Sequence, residues 1–132
     1  MERFFAEKNI KPNELSPLTL AFIGDTVFDL LVREELVCRA NRPAGELHTL
    51  AVEKVRASAQ AEFVKALMPV LDEEEAAVYR RGRNAKPGHI PKNADPGDYH
   101  SATGFEALIG YLYLCGRLDR IKELYDIISS GR

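Results

Sequence analysis

Two acids stand in stretches that are otherwise apolar and long enough to be helices: Asp25 in PLTLAFIGDTVFDLLV and Glu106 in SATGFEALIGYLYLCG. An ionised carboxylate in apolar surroundings is costly unless it is paired or bound to a metal. Each acid also has a glycine on its own helix, Gly24 beside Asp25 and Gly110 one turn after Glu106. A glycine inside a helix costs about 1 kcal/mol relative to alanine, so a compensating role is expected. Glycine lets another backbone come close, and two helices crossing near these glycines would make the carboxylates converge. Converging carboxylate oxygens suit a hard divalent cation such as Mg2+, which takes one or two carboxylates and keeps several waters. A cation held there could activate water against a phosphodiester and offset charge on the leaving oxygen. The competing reading is an ordinary ion-paired surface acid, and Asp29, four residues before Arg33, illustrates it.

The second constellation is basic. RRGRNAKPGHIPKNAD gathers Arg80, Arg81, Arg83, Lys86 and Lys92, interspersed with Asn84, His89 and Asn93. A helix C-terminus accounts for Arg80 and Arg81 through the macrodipole, but not for Arg83, Lys86 and Lys92. Arginine and asparagine on a loop can grip phosphates and ribose 2'-hydroxyls without reading bases, as the shallow groove of A-form RNA requires. The formal net charge is -2, so any nucleic-acid contact must come from such a local patch. Cys38 and Cys115 lie in no zinc-like spacing and read as reduced core cysteines of a cytosolic protein. No GxSxG, GxGxxG or GKS/GKT is present, which removes support for covalent catalysis and for a glycine-rich phosphate loop. The N-terminus has no long apolar core and no run matches a membrane span, so the protein is expected to be soluble, cytoplasmic and free of membrane contact.

These residues need helices to hold them. Ser16 and Pro17 read as N-cap and first residue of a helix reaching about Cys38, apolar around most of its circumference and therefore central. A second helix is expected from about Ala44 to Leu67, and a third opens at Asp72 and ends with Arg80 and Arg81, Gly82 lying just beyond. From Arg83 to about His100 three prolines argue against regular structure. Ser101 to Cys115 forms the Glu106 helix, and an amphipathic helix through Leu118 and Ile128 closes the chain. The fold class is all-α, with residues 1–132 forming one domain in which every working part shares one core.

LAFIGDTVFDLLV resembles the signature helix of the ribonuclease III catalytic domain, and FEALIGYLYL resembles its glutamate-bearing motif. Order and spacing match over nearly the whole chain. RGRNAK and PKNAD point to the short bacterial class of that family, which has the catalytic domain but no double-stranded-RNA-binding domain. The resemblance implies a homodimeric, helical, Mg2+-dependent endoribonuclease, with Mn2+ able to substitute. Its implied substrate is double-stranded RNA, in the cell the precursor of the large-subunit (23S) ribosomal RNA. Carried over by position, Asp25 and Glu106 are the catalytic and metal-binding acids. The RNA contacts are assigned on charge-patch grounds to Arg80, Arg81, Arg83, Asn84, Lys86 and Lys92. The signature helix lies at the family's dimer interface, which assigns Phe22 and Phe28 to it. Full-length members carry further acids where this chain has Ala21 and Thr103, so water or the Thr103 hydroxyl must complete the metal shell, with Asp95 an outer substitute. The rival reading is a non-catalytic RNA-binding or ribosome-assembly module of the same fold, and retention of both acids favours the enzyme. A helical adaptor binding another protein through its apolar first helix leaves both acids and the basic loop unexplained.

Overall fold

The computed structural model describes residues 2–130; the expected single domain of 1–132 extends beyond them at both ends. Six helices carry the fold: α1 (Pro17–Arg39), α2 (Ala44–Val55), α3 (Ala57–Leu67), α4 (Glu73–Asn84), α5 (Pro96–Leu114) and α6 (Leu118–Ser130). Short 3-10 turns precede α1 and follow α3, and no strand occurs among the described residues. α5 is the central element, with α1, α3, α4 and α6 packed around it and α2 lying on α1.

The start of α1 follows the sequence: Ser16 accepts a hydrogen bond from the Thr19 amide, with Pro17 in the first helical position. Its inner face presents Leu20, Gly24, Phe28 and Val32 to the interior. Phe28 sits edge-on to Phe105 at 4.9 Å between ring centres, and near Phe63 and Tyr125 at 6.1 Å each. Phe28 is therefore a core residue of the single chain, 2% exposed, and the expectation that it lines a dimer interface is corrected. Phe22, by contrast, is 82% exposed.

Two helices cross where the glycines allow it. A Cβ on Gly24 would stand 1.7 Å from the carbonyl oxygen of Glu106, and one on Gly110 would stand 2.0 Å from that of Leu20. Any side chain at either position would force α1 and α5 apart.

Several boundaries differ from the sequence reading. The expected helix from Ala44 to Leu67 is two helices, broken at Arg56, whose ψ of 155° is extended. No proline or glycine marks this break. It lets α2 follow α1 while α3 turns onto α5, a tertiary demand that leaves no local signal. α4 runs through Gly82 to Asn84, because Gly82 is a contact and not a cap: a Cβ there would meet Gly104 and Ala107 of α5 at 2.8 Å. α5 begins five residues before Ser101, since Asp95 caps it and Pro96 fills the first helical position, where its missing N–H costs nothing. Cys38 and Cys115 are exposed free thiols, not core residues.

Charged clamps tie the periphery to this centre. Glu75, 1% exposed, completes the capping box with Asp72 and accepts two hydrogen bonds from Arg120 of α6 at 2.8 and 2.9 Å. Glu35 of α1 accepts from Lys54 of α2 and from the Tyr125 hydroxyl of α6. Burial works against the Glu35 charge, but Tyr125, Lys54 and Arg39 outweigh it and hold the carboxyl down to about 2.

The crossing can be tested at two glycines. Gly24→Ala should lower unfolding free energy by about 3 kcal/mol or more in urea titrations, because backbone atoms cannot yield as side chains do. Gly45, with nothing within 4 Å of an added Cβ, is the control: Gly45→Ala should stabilise α2 by about 0.5–1 kcal/mol.

Candidate active site

The α1–α5 crossing sets Asp25 and Glu106 side by side. Every residue of α5 from 102 to 112 is buried except Glu106, which is half-buried and opens toward α1. Asp25 is exposed on α1, so the expectation of a wholly apolar setting holds only for its partner. Burial first, and then the Asp25 charge, push the Glu106 carboxyl up to about 8. The Gln60 amide nitrogen donates to Glu106 Oε2 at 3.1 Å and opposes that shift. Asp29, the illustrative surface acid, is bound by Arg33 at 3.0 Å.

Sequence reasoning misses Gln60, although a signal exists. It lies on the same stripe of α3 as Val64 and Leu67, which are buried, so it is a polar residue at a core register position. Like Glu106, it is a polar group at a place where an apolar one would be cheaper.

The donor set fits a hard cation. An ionised Glu106 would face the Asp25 charge in a half-buried setting, a repulsion that a divalent ion would relieve, and Gln60 adds an amide beside these carboxyl oxygens. No group of three or more acidic, histidine or cysteine residues is gathered among the described residues, so protein carboxylates alone would not complete a shell. The positions where full-length members carry additional acids behave differently. Ala21 is buried in the core, and the Thr103 hydroxyl donates to the Tyr99 carbonyl at 3.0 Å. Asp95 is withdrawn as an outer substitute. It caps the amide of Asp98 eleven residues before Glu106, about 16 Å away along the helix axis.

Arg80, Arg81, Arg83 and Asn84 occupy the last turns of α4, with Lys86 and Lys92 on the loop over 85–95, and all six are exposed. Gly82 seats this turn against Thr103, Gly104 and Ala107, on the face of α5 next to that of Glu106. None of the five cations forms an ion pair among the described residues, whereas most other lysines and arginines do. Arg83 stacks over Tyr79 with 5.6 Å from its guanidinium carbon to the ring centre, and its Nε reaches Asn84 Oδ1 at 3.3 Å. A carboxylate pair thus shares α5 with a row of unneutralised cations.

A profile of the ribonuclease III domain matches residues 18–117, a span that holds all of α1 but its first residue, α2 to α5, and both acids. The fold is that of a ribonuclease III domain. A solved structure, protein FN1578 from Fusobacterium nucleatum, superposes with a TM-score of 0.81 at 30% identity, covering 89% of this chain and 94% of that one. Mini-ribonuclease 3 of Symbiobacterium thermophilum is 50% identical over 92% of this chain and 96% of its own length. The protein of the same name from a Thermoanaerobacter species is 49% identical over 86% of this chain and 80% of its own. The chain belongs to the Mini-ribonuclease 3 family, the short class of ribonuclease III enzymes, and is an endoribonuclease.

The raised Glu106 carboxyl has a consequence for stability. The unfolded chain releases this proton near 4.5 and the folded chain near 8, so folding loses free energy as pH rises between those values. Glu106→Gln removes the penalty. In metal-free protein its melting temperature should match wild type near pH 4 and exceed it by a growing margin toward pH 8, as calorimetry across that range would read.

Proposed function

We propose that this endoribonuclease hydrolyses double-stranded RNA as a homodimer, with Mg2+ as cofactor, Mn2+ able to substitute, and the 23S ribosomal RNA precursor as its substrate. The observation that carries the reading is the meeting of Asp25 and Glu106 at the α1–α5 crossing, alongside the unpaired cations of α4. Asp25 and Glu106 would hold the metal, which when bound supplies an activated water and offsets charge on the leaving oxygen. Arg80, Arg81, Arg83, Asn84, Lys86 and Lys92 hold the duplex by its phosphates and ribose hydroxyls, with little preference for sequence. Burial and the Asp25 charge both disfavour an ionised Glu106, and a cation bound between the two acids would offset both.

The dimer reading rests on the outer side of α1, where Phe22, Leu30 and Val37 are 82%, 58% and 63% exposed. A self-complementary apolar patch of this kind suits a two-fold contact. The precursor as substrate rests on likeness to the Mini-ribonuclease 3 class alone. In this reading the chain works in the cytoplasm, and the exposed cations at the α4 end supply the grip on the duplex. No helix among the described residues is long and apolar enough to cross a membrane.

Incubating purified protein with a long RNA duplex tests the activity. Cleavage should require Mg2+ and should fall by roughly 100-fold or more in Asp25→Asn and in Glu106→Gln, since each deletes a charge of the metal site at nearly constant volume. Near-normal cleavage by either variant refutes the site. Arg83→Ala and Lys86→Ala, in the Glu106→Gln background, should weaken duplex binding. Removing one true phosphate contact should flatten the log–log salt dependence by about 0.9, the value for a B-form duplex. Isotherms at several salt concentrations provide the measurement.

A further inference from the structure

Gln60 is 1% exposed, yet it is polar, and its position at the first turn of α3 is set by the break at Arg56. Its amide nitrogen donates twice, to the Val55 carbonyl at 2.7 Å and to Glu106 Oε2 at 3.1 Å. Both partners are acceptors, which fixes the amide's orientation and leaves Oε1 buried with no hydrogen-bond partner among the described residues. A leucine or methionine of similar volume would fill the same space without an orphaned acceptor. Capping the end of α2 requires only the Val55 bond. The bond to Glu106 is surplus to that structural task.

We propose that Gln60 is a positioning residue for RNA cleavage: it ties the Glu106 carboxyl to the backbone at the α2–α3 break and holds it turned toward Asp25. The proposal rests on the reading of Asp25 and Glu106 as the cleavage site. Glu106 projects from a helix whose neighbouring residues are all buried, but among the described residues its own carboxyl is held otherwise only by Asp25, an exposed side chain on another helix. The rigid anchor in the pair's surroundings is therefore the amide of Gln60. Ligand-orienting partners of this kind govern metal affinity and rate while leaving substrate binding alone.

The test uses the full chain carrying Gln60→Met. Steady-state kcat and KM are measured on a duplex RNA with Mg2+, and Mn2+ affinity is measured by titration calorimetry without RNA. The expected result is a loss of about 10–100-fold in kcat or in Mn2+ affinity, with KM for the duplex within about twofold of wild type. Ile121→Val, a core change in α6, supplies a variant of lowered melting temperature that should move neither quantity. Wild-type kcat and Mn2+ affinity in Gln60→Met, or a change in KM alone, overturns the proposal. Should Gln60→Met not fold, Gln60→Asn keeps the amide but is one methylene too short to span both partners, and the same criteria apply. If wild type fails to cleave duplex RNA, the proposed activity falls, and the Mn2+ affinities alone then decide the role of Gln60.

Discussion

The close passage of α1 over α5 is the constraint from which the rest of the molecule follows. Gly24 and Gly110 each lie where a Cβ would collide with backbone of the other helix. Helix axes are ordinarily kept about 8–10 Å apart by the side chains between them, and glycine removes that spacer. The shortened distance has two effects at once. It buries the interior faces of both helices, with Phe28 of α1 against Phe105 of α5, and it brings a carboxylate of each helix to the same edge of the contact. Packing and chemistry are coupled through the same few backbone atoms.

Around this crossing, electrostatics are divided between groups that are satisfied and groups that are not. Glu75 with Arg120, and Glu35 with Lys54 and Tyr125, are closed structural clamps whose charges are spent on holding α6 and α2 in place. The Asp25–Glu106 pair is the reverse: two like groups in contact, one of them pushed up by burial. The cations at the end of α4 are likewise without acidic partners among the described residues. Left open on one protein are a surplus of negative charge at a point and a surplus of positive charge along an edge. A divalent cation and a polyanion are the complements that such an arrangement calls for.

α5 links the two. It presents Glu106 and Gly110 to α1, Gly104 and Ala107 to α4, and Glu106 again to Gln60 of α3. Four helices pack on α5 and bury most of it, so a rotation about its axis would disturb the carboxylate pair and the seating of the basic turn together.

Much of this is legible in the chain alone. The all-α class, the capped start of α1, the cap at Asp72 and the terminal amphipathic helix are written in local patterns, because caps and periodicity act within a few residues. The meeting of Asp25 with Glu106 is also readable, since a mid-helix glycine beside a misplaced acid is doubly costly unless a second helix comes close to both. What local pattern cannot reveal is anything decided by contacts distant in sequence. The break at Arg56 exists because α2 and α3 pack on different partners; Gly82 is a packing glycine because Gly104 faces it; Phe28 points inward because α5 lies on that side of α1. Asp95 and Pro96 carry a helix-start signal that the surrounding prolines mask. Gln60 becomes part of the site only when the fold places it beside Glu106, 46 residues along the chain. Sequence determined which residues had unusual costs, because those costs are properties of single side chains in their helices; tertiary structure alone decided which residues offset them, because a partner is defined by proximity.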